Sequence, residues 1–299
     1  MEILGMIQCM DIPVYMIFGS EGILGSSFVG KLSTMPSSTY RLFHFSHKKA
    51  DITNDADVNP LMEYIRPSVV INCAAINDED LCQDAKQGAF NVNYKGPQIL
   101  AEACKKYGSK LVHFSSATVF DGNGLTPYSE QHRPKPVNIH GQSKFSWEQA
   151  IEKTIDNFLI IRPGWVFSNQ SPSFVPGWIE QVEHDEVSVL DDHVGSPTYA
   201  IDLIDATMDL LEKDAKGIFH FSNENAATRQ AMAEVVMDLT GLKRKISVLK
   251  PESQKFFKAP TPKYTVLSTK KYKQLTGKTP RQWQDALKHC LFIMHKYRP

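Results

Sequence analysis

Short apolar runs recur along the chain and alternate with longer segments of helical periodicity. The runs cover Val14–Phe18, Tyr40–Phe45, Val69–Ile71, Leu111–Phe114 and Phe158–Ile161. Runs of four to six apolar residues separated by helices are typical of buried strands in a parallel sheet with right-handed crossovers. The pattern therefore predicts an α/β fold, a Rossmann-type doubly wound parallel sheet covered by helices on both faces.

The helical segments divide the chain into a regular first half and a less regular second half. Helices are predicted near 27–32, 55–65, 85–107, 139–153, 201–212, 227–240 and 280–297, with a further strand at 217–222. After about residue 166 the strand–helix alternation weakens, which indicates a smaller α/β substrate-binding domain. We expect an N-terminal extension (1–13), a Rossmann domain (14–165, with a returning segment at about 196–222) and a second domain (166–195 and 223–299).

A glycine-rich turn follows the first predicted strand. Gly19, Gly22 and Gly25 have the spacing G-x-x-G-x-x-G and precede a helix. Glycines allow the backbone to approach a pyrophosphate, and a helix N-terminus offers free N–H groups and a positive dipole end. The simpler interpretation is an ordinary turn, but the strand–turn–helix context favours a dinucleotide site.

The residues after the second strand bear on the choice of dinucleotide. An acidic residue here would bind the ribose 2′-hydroxyl of NAD, whereas this chain has Ser46, His47 and Lys48. Basic side chains favour a 2′-phosphate, so NADP(H) is the expected cofactor and NAD(H) the alternative. The competing interpretation is that the basic residues are solvated loop positions.

Three polar residues could meet at the carboxyl edge of the sheet. Ser116 follows a strand, and His140 and Lys144 lie four residues apart on the next helix, where they share a face. A hydroxyl, a titratable acid and an ammonium beside a nicotinamide would suit reduction of a ketone. Spacing alone favours the simpler interpretation, in which His140 is a partly exposed residue at the start of the helix and Lys144 is a surface charge.

Composition removes several classes of function. The 33 basic and 33 acidic residues balance, which does not favour nonspecific nucleic-acid binding. Five cysteines without a Cys-x-x-Cys pair indicate reduced thiols and no zinc site. The N-terminus lacks a basic n-region and no run approaches ~18 apolar residues, so we expect a cytoplasmic protein without membrane or metal.

A series of motifs, each weak by itself, occurs in a specific order over nearly the whole chain. The stretches are GSEGILG, ADIT, RPSVVINCAA, LVHFSSATVFDG, PYSE, HGQSK, IIRPGWVF, LDDHVGSPTYAIDL and GIFHFSN. In this order they resemble the extended short-chain dehydrogenase/reductase family, and within it the dTDP-4-dehydrorhamnose reductases. The resemblance implies an NADPH-dependent oxidoreductase acting on the 4-keto group of a nucleotide-linked deoxysugar. It also implies dTDP-rhamnose and lipopolysaccharide biosynthesis, a nucleotide-sugar substrate and a homodimer.

The resemblance also implies site residues. The family's catalytic Ser/Thr, Tyr and Lys fall on Ser116, His140 and Lys144. The expected cofactor contacts are Gly19, Ser20, Glu21, Gly22, Ile23, Leu24, Ser46, His47, Lys48, Asp51, Ile52, Ala74, Ala75, Asn93, Lys144 and Pro163, with Asn93 also bracing the strand ends. The expected substrate contacts are Ser116, Ala117, Trp165, Gly195 and Thr198.

His140 is the main departure from the family, because it stands where the catalytic tyrosine is expected. The family's Asp-Tyr after the catalytic hydroxyl is also replaced, by Ala117 and Thr118. An imidazolium with a pKa near 6.5 could donate the proton, although Lys144 would oppose its charging. Two functions stay open: an altered reductase, or a catalytically silent NADP-binding regulatory subunit like that of methionine adenosyltransferase.

Overall fold

A central sheet of six parallel strands organises the molecule. The computed structural model describes residues 12–170, 172–184, 187–190, 193–241, 246–249 and 258–296, so the expected N-terminal extension lies almost entirely outside the described residues. The sheet is formed by β1 (Val14–Phe18), β2 (Arg41–Phe45), β3 (Val69–Asn72), β4 (Lys110–Phe114), β5 (Phe158–Pro163) and β10 (Gly217–Phe221). Their spatial order is β10-β5-β4-β3-β1-β2.

The order of strands explains the position of the site. The chain winds from β1 to β2 in one direction and from β3 to β10 in the other, so the direction reverses between β1 and β3. Ligands bind outside the carboxyl ends of the strands at such a reversal. The predicted doubly wound fold is confirmed.

Eleven α-helices lie among the described residues. Their bounds are α1 (Ile23–Ser33), α2 (Asp55–Ile65), α3 (Glu79–Asp84), α4 (Lys86–Phe90), α5 (Gly96–Tyr107), α6 (Ile139–Thr154), α7 (Phe174–His184), α8 (Ala200–Glu212), α9 (Arg229–Thr240), α10 (Lys270–Thr276) and α11 (Trp283–Ile293). The helix predicted over 85–107 is present as an uninterrupted helical segment from Lys86 to Tyr107, with a π-helical turn at Asn91–Lys95, and a short additional helix at Glu79–Asp84 precedes it.

Both faces of the sheet are covered by apolar side chains. On one face, Phe28 and Leu32 of α1 and Leu203 of α8 pack against Ile17 and Ile161. On the other face, residues of α2, α5 and α6 pack against Met16, Val70 and Ile160. Burial on both faces accounts for the nearly continuous apolar runs in the strands.

The rest of the chain forms small sheets around a separate apolar cluster. These strands are β6 (Trp165–Phe167), β7 (Val187–Leu190), β8 (Val194–Gly195), β9 (Pro197–Tyr199), β11 (Ala227–Thr228), β12 (Ile246–Leu249) and β13 (Tyr264–Thr265). They pair as β6-β9, β7-β12 and β8 between β11 and β13. Helices α7, α9 and α11 supply most of the cluster, which includes Trp178, Met232 and Leu287.

A buried ion pair fixes helix α6 to the sheet. Arg162 on β5 donates from Nε and Nη2 to the two carboxylate oxygens of Glu148, at 2.8 and 2.6 Å. Both side chains are at most 2% exposed. A bidentate pair in this environment fixes the rotation of α6, the helix that carries His140 and Lys144.

Glu148→Gln should destabilise the fold, because it leaves a buried guanidinium without its carboxylate. We expect the free energy of unfolding to fall by about 3 kcal/mol in urea titrations. Asp84→Asn, which breaks the exposed Lys258–Asp84 pair, should cost less than about 1 kcal/mol. Equal effects of the two substitutions would contradict this role of the buried pair.

Candidate active site

The glycine turn after β1 has the geometry of a phosphate cradle. Gly19 has φ +75°, and a Cβ there would lie 2.5 Å from the Ala74 nitrogen. A Cβ on Gly25 would lie 2.1 Å from the Gly19 oxygen, whereas a Cβ on Gly22 would make only an ordinary contact with the same oxygen at 3.5 Å. Gly22 is also the N-cap of α1 and provides no side-chain cap. The N–H groups of Ile23 and Leu24 therefore begin a helix whose positive end faces this opening, which fits a dinucleotide pyrophosphate.

The turn after β2 lies beside the glycine turn. The Ser20 nitrogen donates to the Phe45 oxygen at 3.1 Å. Ser46 is buried, whereas His47 and Lys48 are exposed at the turn. Two basic side chains are thus available to a ligand that extends from the glycine turn, as a 2′-phosphate would.

Asp51 and Ile52 follow this turn and face different surroundings. Asp51 is partly exposed and accepts hydrogen bonds from the nitrogen and hydroxyl of Thr53 at 2.9 and 2.8 Å. Burial by itself would raise the pKa of Asp51, but these hydrogen bonds hold it below its usual value. Ile52 is buried and packs where a Cβ on Gly96 would lie.

Residues after β3 complete one wall of the cofactor cleft. Ala74 and Ala75 follow this strand, and Ala74 touches Gly19. Asn93 does not have a free amide for the cofactor: its Nδ2 donates to the Ile76 oxygen at 2.9 Å and to Ser143 Oγ at 3.1 Å. Its Oδ1 accepts from the Ile76 nitrogen at 2.8 Å. The expectation of a direct Asn93 contact is therefore corrected to a bracing role.

A chain of hydrogen bonds joins Ser116 to His140 through Thr118. Thr118 Oγ1 lies 2.9 Å from Ser116 Oγ and 3.1 Å from His140 Nδ1. The spacing of the sequence brought Ser116 and His140 together correctly, but it did not assign Thr118 a role. The signal was present, since Thr118 stands two residues after Ser116, where a 3₁₀ turn at Ala117–Val119 folds its side chain back.

His140 is neutral at physiological pH in this environment. Burial, together with the nearby charge of Lys144, lowers the pKa of its imidazole to about 3. Its Nε2 is buried and has no hydrogen-bond partner among the described residues. Desolvation acts in the same direction as the lysine charge, so this environment disfavours the imidazolium acid considered from the sequence.

Lys144 is a buried cation. Its Nζ donates to the Phe114 oxygen at 3.3 Å and forms no ion pair among the described residues. Burial lowers its pKa to about 8. Cys73 and Cys82 lie nearby, but burial raises the pKa of both thiols, to about 11 for Cys82, so neither supplies a thiolate.

The expected substrate residues form a packed group behind the site. The indole ring of Trp165 leaves room only for glycine at position 195, because a Cβ at Gly195 would lie 2.4 Å from that ring. Thr198 is fully buried, and its Oγ1 accepts from the Gly164 nitrogen at 3.1 Å. Both residues therefore position the segment after Pro163, which ends β5, and Thr198 is not available for direct contact with a substrate.

Two charged residues beside this group were missed by the sequence analysis. Glu79 accepts a hydrogen bond from Asn138 at 2.8 Å, and burial raises its pKa to about 7. Arg229 lies over the ring of Trp165. Neither belongs to a recognisable motif, and only the fold brings residues 150 positions apart together.

The fold and these side chains define a Rossmann-type α/β protein with a Ser-Thr-His network and a buried lysine at the carboxyl edge of its sheet. Within the described ranges, no group of three or more His, Cys, Asp or Glu residues could hold a metal ion. No described helix has the length and apolar character needed to cross a membrane.

The chain belongs to the RmlD substrate binding domain family, which matches residues 14–295. It is 31% identical over 285 residues to the dTDP-4-dehydrorhamnose reductase of Mycobacterium tuberculosis, covering 92% of this chain and 91% of that protein. It is 30% identical to the spore coat polysaccharide biosynthesis protein SpsK of Bacillus subtilis, covering 92% and 96%. The resemblance deduced from the ordered motifs is thereby confirmed.

Solved structures agree with this membership. The dTDP-4-dehydrorhamnose reductase of Bacillus anthracis, in complex with NADP, superimposes with a TM-score of 0.89 at 28% identity. The match covers 94% of this chain and 99% of that one. The whole architecture, including both the sheet and the smaller C-terminal elements, is therefore shared.

Gly25→Ala should weaken cofactor binding, because its Cβ would collide with the Gly19 backbone and displace the glycine turn. We expect the NADPH dissociation constant to rise at least about tenfold, measured by fluorescence titration. Gly30→Ala is the matched control, since it lies on the same helix with nothing within 4 Å of the added carbon. Similar affinities for both variants would contradict the cradle.

Proposed function

We propose that this protein is an NADPH-dependent reductase of a nucleotide-linked 4-keto-deoxysugar, most closely of the dTDP-4-dehydrorhamnose type. The Ser116–Thr118–His140 network beside the glycine turn is the observation that carries this proposal. The names of the relatives support the substrate class. A cytoplasmic location and a homodimer remain expectations from the family resemblance.

NADPH, when bound, supplies the hydride that reaches the keto carbon. The exposed His47 and Lys48 lie where they can hold its 2′-phosphate, which favours NADPH over NADH. Lys144 is placed to hold the nicotinamide ribose and to add positive charge to the cavity. Gly19, Ser20 and Gly22 would surround the pyrophosphate.

Neutral His140 assists the reduction as a hydrogen-bond donor. A relay in which Ser116 Oγ–H donates to Thr118 Oγ1 and Thr118 Oγ1–H donates to Nδ1 leaves the imidazole proton on Nε2, the nitrogen without a protein partner among the described residues. Nε2–H can then bind the substrate oxygen as negative charge develops on it, with solvent water supplying the proton that completes the product hydroxyl group. A neutral imidazole can act in this way as an electrophile, as in triosephosphate isomerase.

Lys144 supplies the electrostatic part of the stabilisation. Its ammonium is largely charged at pH 7, because its pKa of about 8 lies above that pH. A positive charge in a dry cavity stabilises a developing oxyanion much more than the same charge in water. Ser116 Oγ–H donates to Thr118 Oγ1 in this relay, so Ser116 contributes by fixing the tautomer of His140.

The direct test is NADPH oxidation with dTDP-4-dehydrorhamnose, followed at 340 nm. Wild type should turn over this substrate and prefer NADPH to NADH. His140→Ala should lower kcat by about 10²-fold, since it removes one donor to the oxyanion, with little change in NADPH affinity.

Two outcomes would contradict the reductase. Tight NADPH binding without turnover of any dTDP- or GDP-linked 4-keto sugar would favour the regulatory-subunit alternative, to be tested next by a search for a stable enzyme partner. Unchanged kcat in His140→Ala would instead remove His140 from the reaction. The His140→Tyr variant distinguishes two interpretations of His140. If its activity rises, His140 is a less effective acid than the family's tyrosine; if its activity falls, histidine is suited to the substrate of this protein.

The pH dependence of kcat should report Lys144 and not His140. The pKa of Lys144 is lowered to about 8, so its charge is present below that pH and is lost as pH rises through it. We expect kcat to fall above about pH 8 and to show no step near 6.5. Lys144→Arg should have a lower kcat but no fall in this range, because arginine stays charged. A wild-type kcat that decreases as the pH is lowered through about 6.5 would contradict a neutral His140.

A further inference from the structure

Arg229 lies between two aromatic rings in the wall of the site. Its guanidinium carbon is 4.2 Å from the centroid of the Trp165 ring and 4.0 Å from that of Phe174. Arg229 starts helix α9, directly after strand β11, which pairs with the β8 segment containing Gly195. The rings fix the plane of the guanidinium and leave its N–H edge for hydrogen bonding.

This guanidinium is not explained by the stability of the fold. Its Nη1 is buried and has no hydrogen-bond partner among the described residues. A buried donor without an acceptor costs free energy, and the cost is larger for a charged group. A cation in the first turn of a helix also opposes the helix dipole. These two penalties are offset where a ligand supplies the acceptor.

Glu79 connects Arg229 to the catalytic helix. Burial raises the pKa of Glu79 and lowers that of Arg229, and the charge of each side chain partly opposes this shift in the other. Glu79 accepts from Asn138 Nδ2, and Asn138 Oδ1 caps α6 through the Gly141 nitrogen at 2.8 Å. Arg229 is thus linked electrostatically, through Glu79 and Asn138, to the helix start that carries His140.

We propose that Arg229 is the anion-binding residue of the substrate site and binds a phosphate of the nucleotide-linked sugar. This inference rests on the proposed substrate class, because the diphosphate between sugar and nucleoside is its anionic part. A guanidinium forms two parallel N–H···O bonds with phosphate oxygens, and stacking between rings holds it ready to do so. Trp165 then acts by orienting Arg229, since the guanidinium covers one face of its ring.

The position of Glu79 gives the site a competing anion. The charge of its carboxylate acts on the same guanidinium that the phosphate would bind, and two anions near one cation repel each other. Removing the negative charge of Glu79 while keeping the hydrogen bond from Asn138 should therefore strengthen phosphate binding. Substitutions of Arg229 and Glu79 are expected to change the affinity in opposite directions.

The test is calorimetric titration of the NADPH-loaded protein with dTDP and with thymidine. Wild type should bind dTDP more tightly than thymidine. Arg229→Met should weaken dTDP binding about 10- to 100-fold, the size expected for charged hydrogen bonds, and Arg229→Lys should weaken it less. Glu79→Gln should tighten dTDP binding about threefold or more.

Thymidine and NADPH affinities separate a binding role from a structural one. Both should change less than about twofold in Arg229→Met, and Arg41→Met, at an exposed position at the start of β2, should leave all three affinities unchanged. The proposal is overturned if wild type does not prefer dTDP to thymidine. It is also overturned if Arg229→Met keeps its affinity for dTDP, or if its affinities for thymidine and NADPH fall together with its affinity for dTDP. If Arg229→Met loses dTDP binding while the wild-type protein shows no reductase turnover, the proposed function is refuted but the phosphate-binding role of Arg229 stands.

Discussion

Two basic side chains buried next to each other on one helix are the constraint on which the rest of the site depends. His140 and Lys144 lie on the same face of α6 and are 4% and 2% exposed. Two adjacent cations without a neutralising anion would be prohibitively unfavourable in such a place. His140 is therefore neutral, whereas Lys144 stays protonated. These states make His140 an uncharged hydrogen-bond donor and Lys144 the positive charge of the site.

Much of the structure serves to keep these two groups in place. The bidentate pair between Arg162 and Glu148 holds α6 to β5, and Asn138 caps the helix two residues before His140. Asn93 links the π-helical turn to both Ser143 and the loop after β3. Buried polar groups whose partners are all present restrict side-chain positions more firmly than apolar packing does.

The sequence predicted the sheet because burial on both faces produces apolar runs that are visible without a structure. It also predicted the glycine turn. Strand ends and helical spacing allowed Ser116, His140 and Lys144 to meet, but only the family resemblance favoured this arrangement. The ionisation state of His140 could not be predicted from the sequence, because its pKa depends on burial that only the packed fold defines. Arg229 and Glu79 were missed for a related reason: their proximity is created by tertiary contacts and follows no periodicity.

The protonation state of His140 is the central claim, and ¹⁵N NMR of selectively labelled histidine in the NADPH-loaded protein tests it most directly. The account predicts that the ring nitrogens of His140 show the shifts of a neutral imidazole at pH 7 and that these shifts stay constant down to pH 5. Shifts of a doubly protonated ring at pH 7, or a titration centred near 6.5, would contradict it.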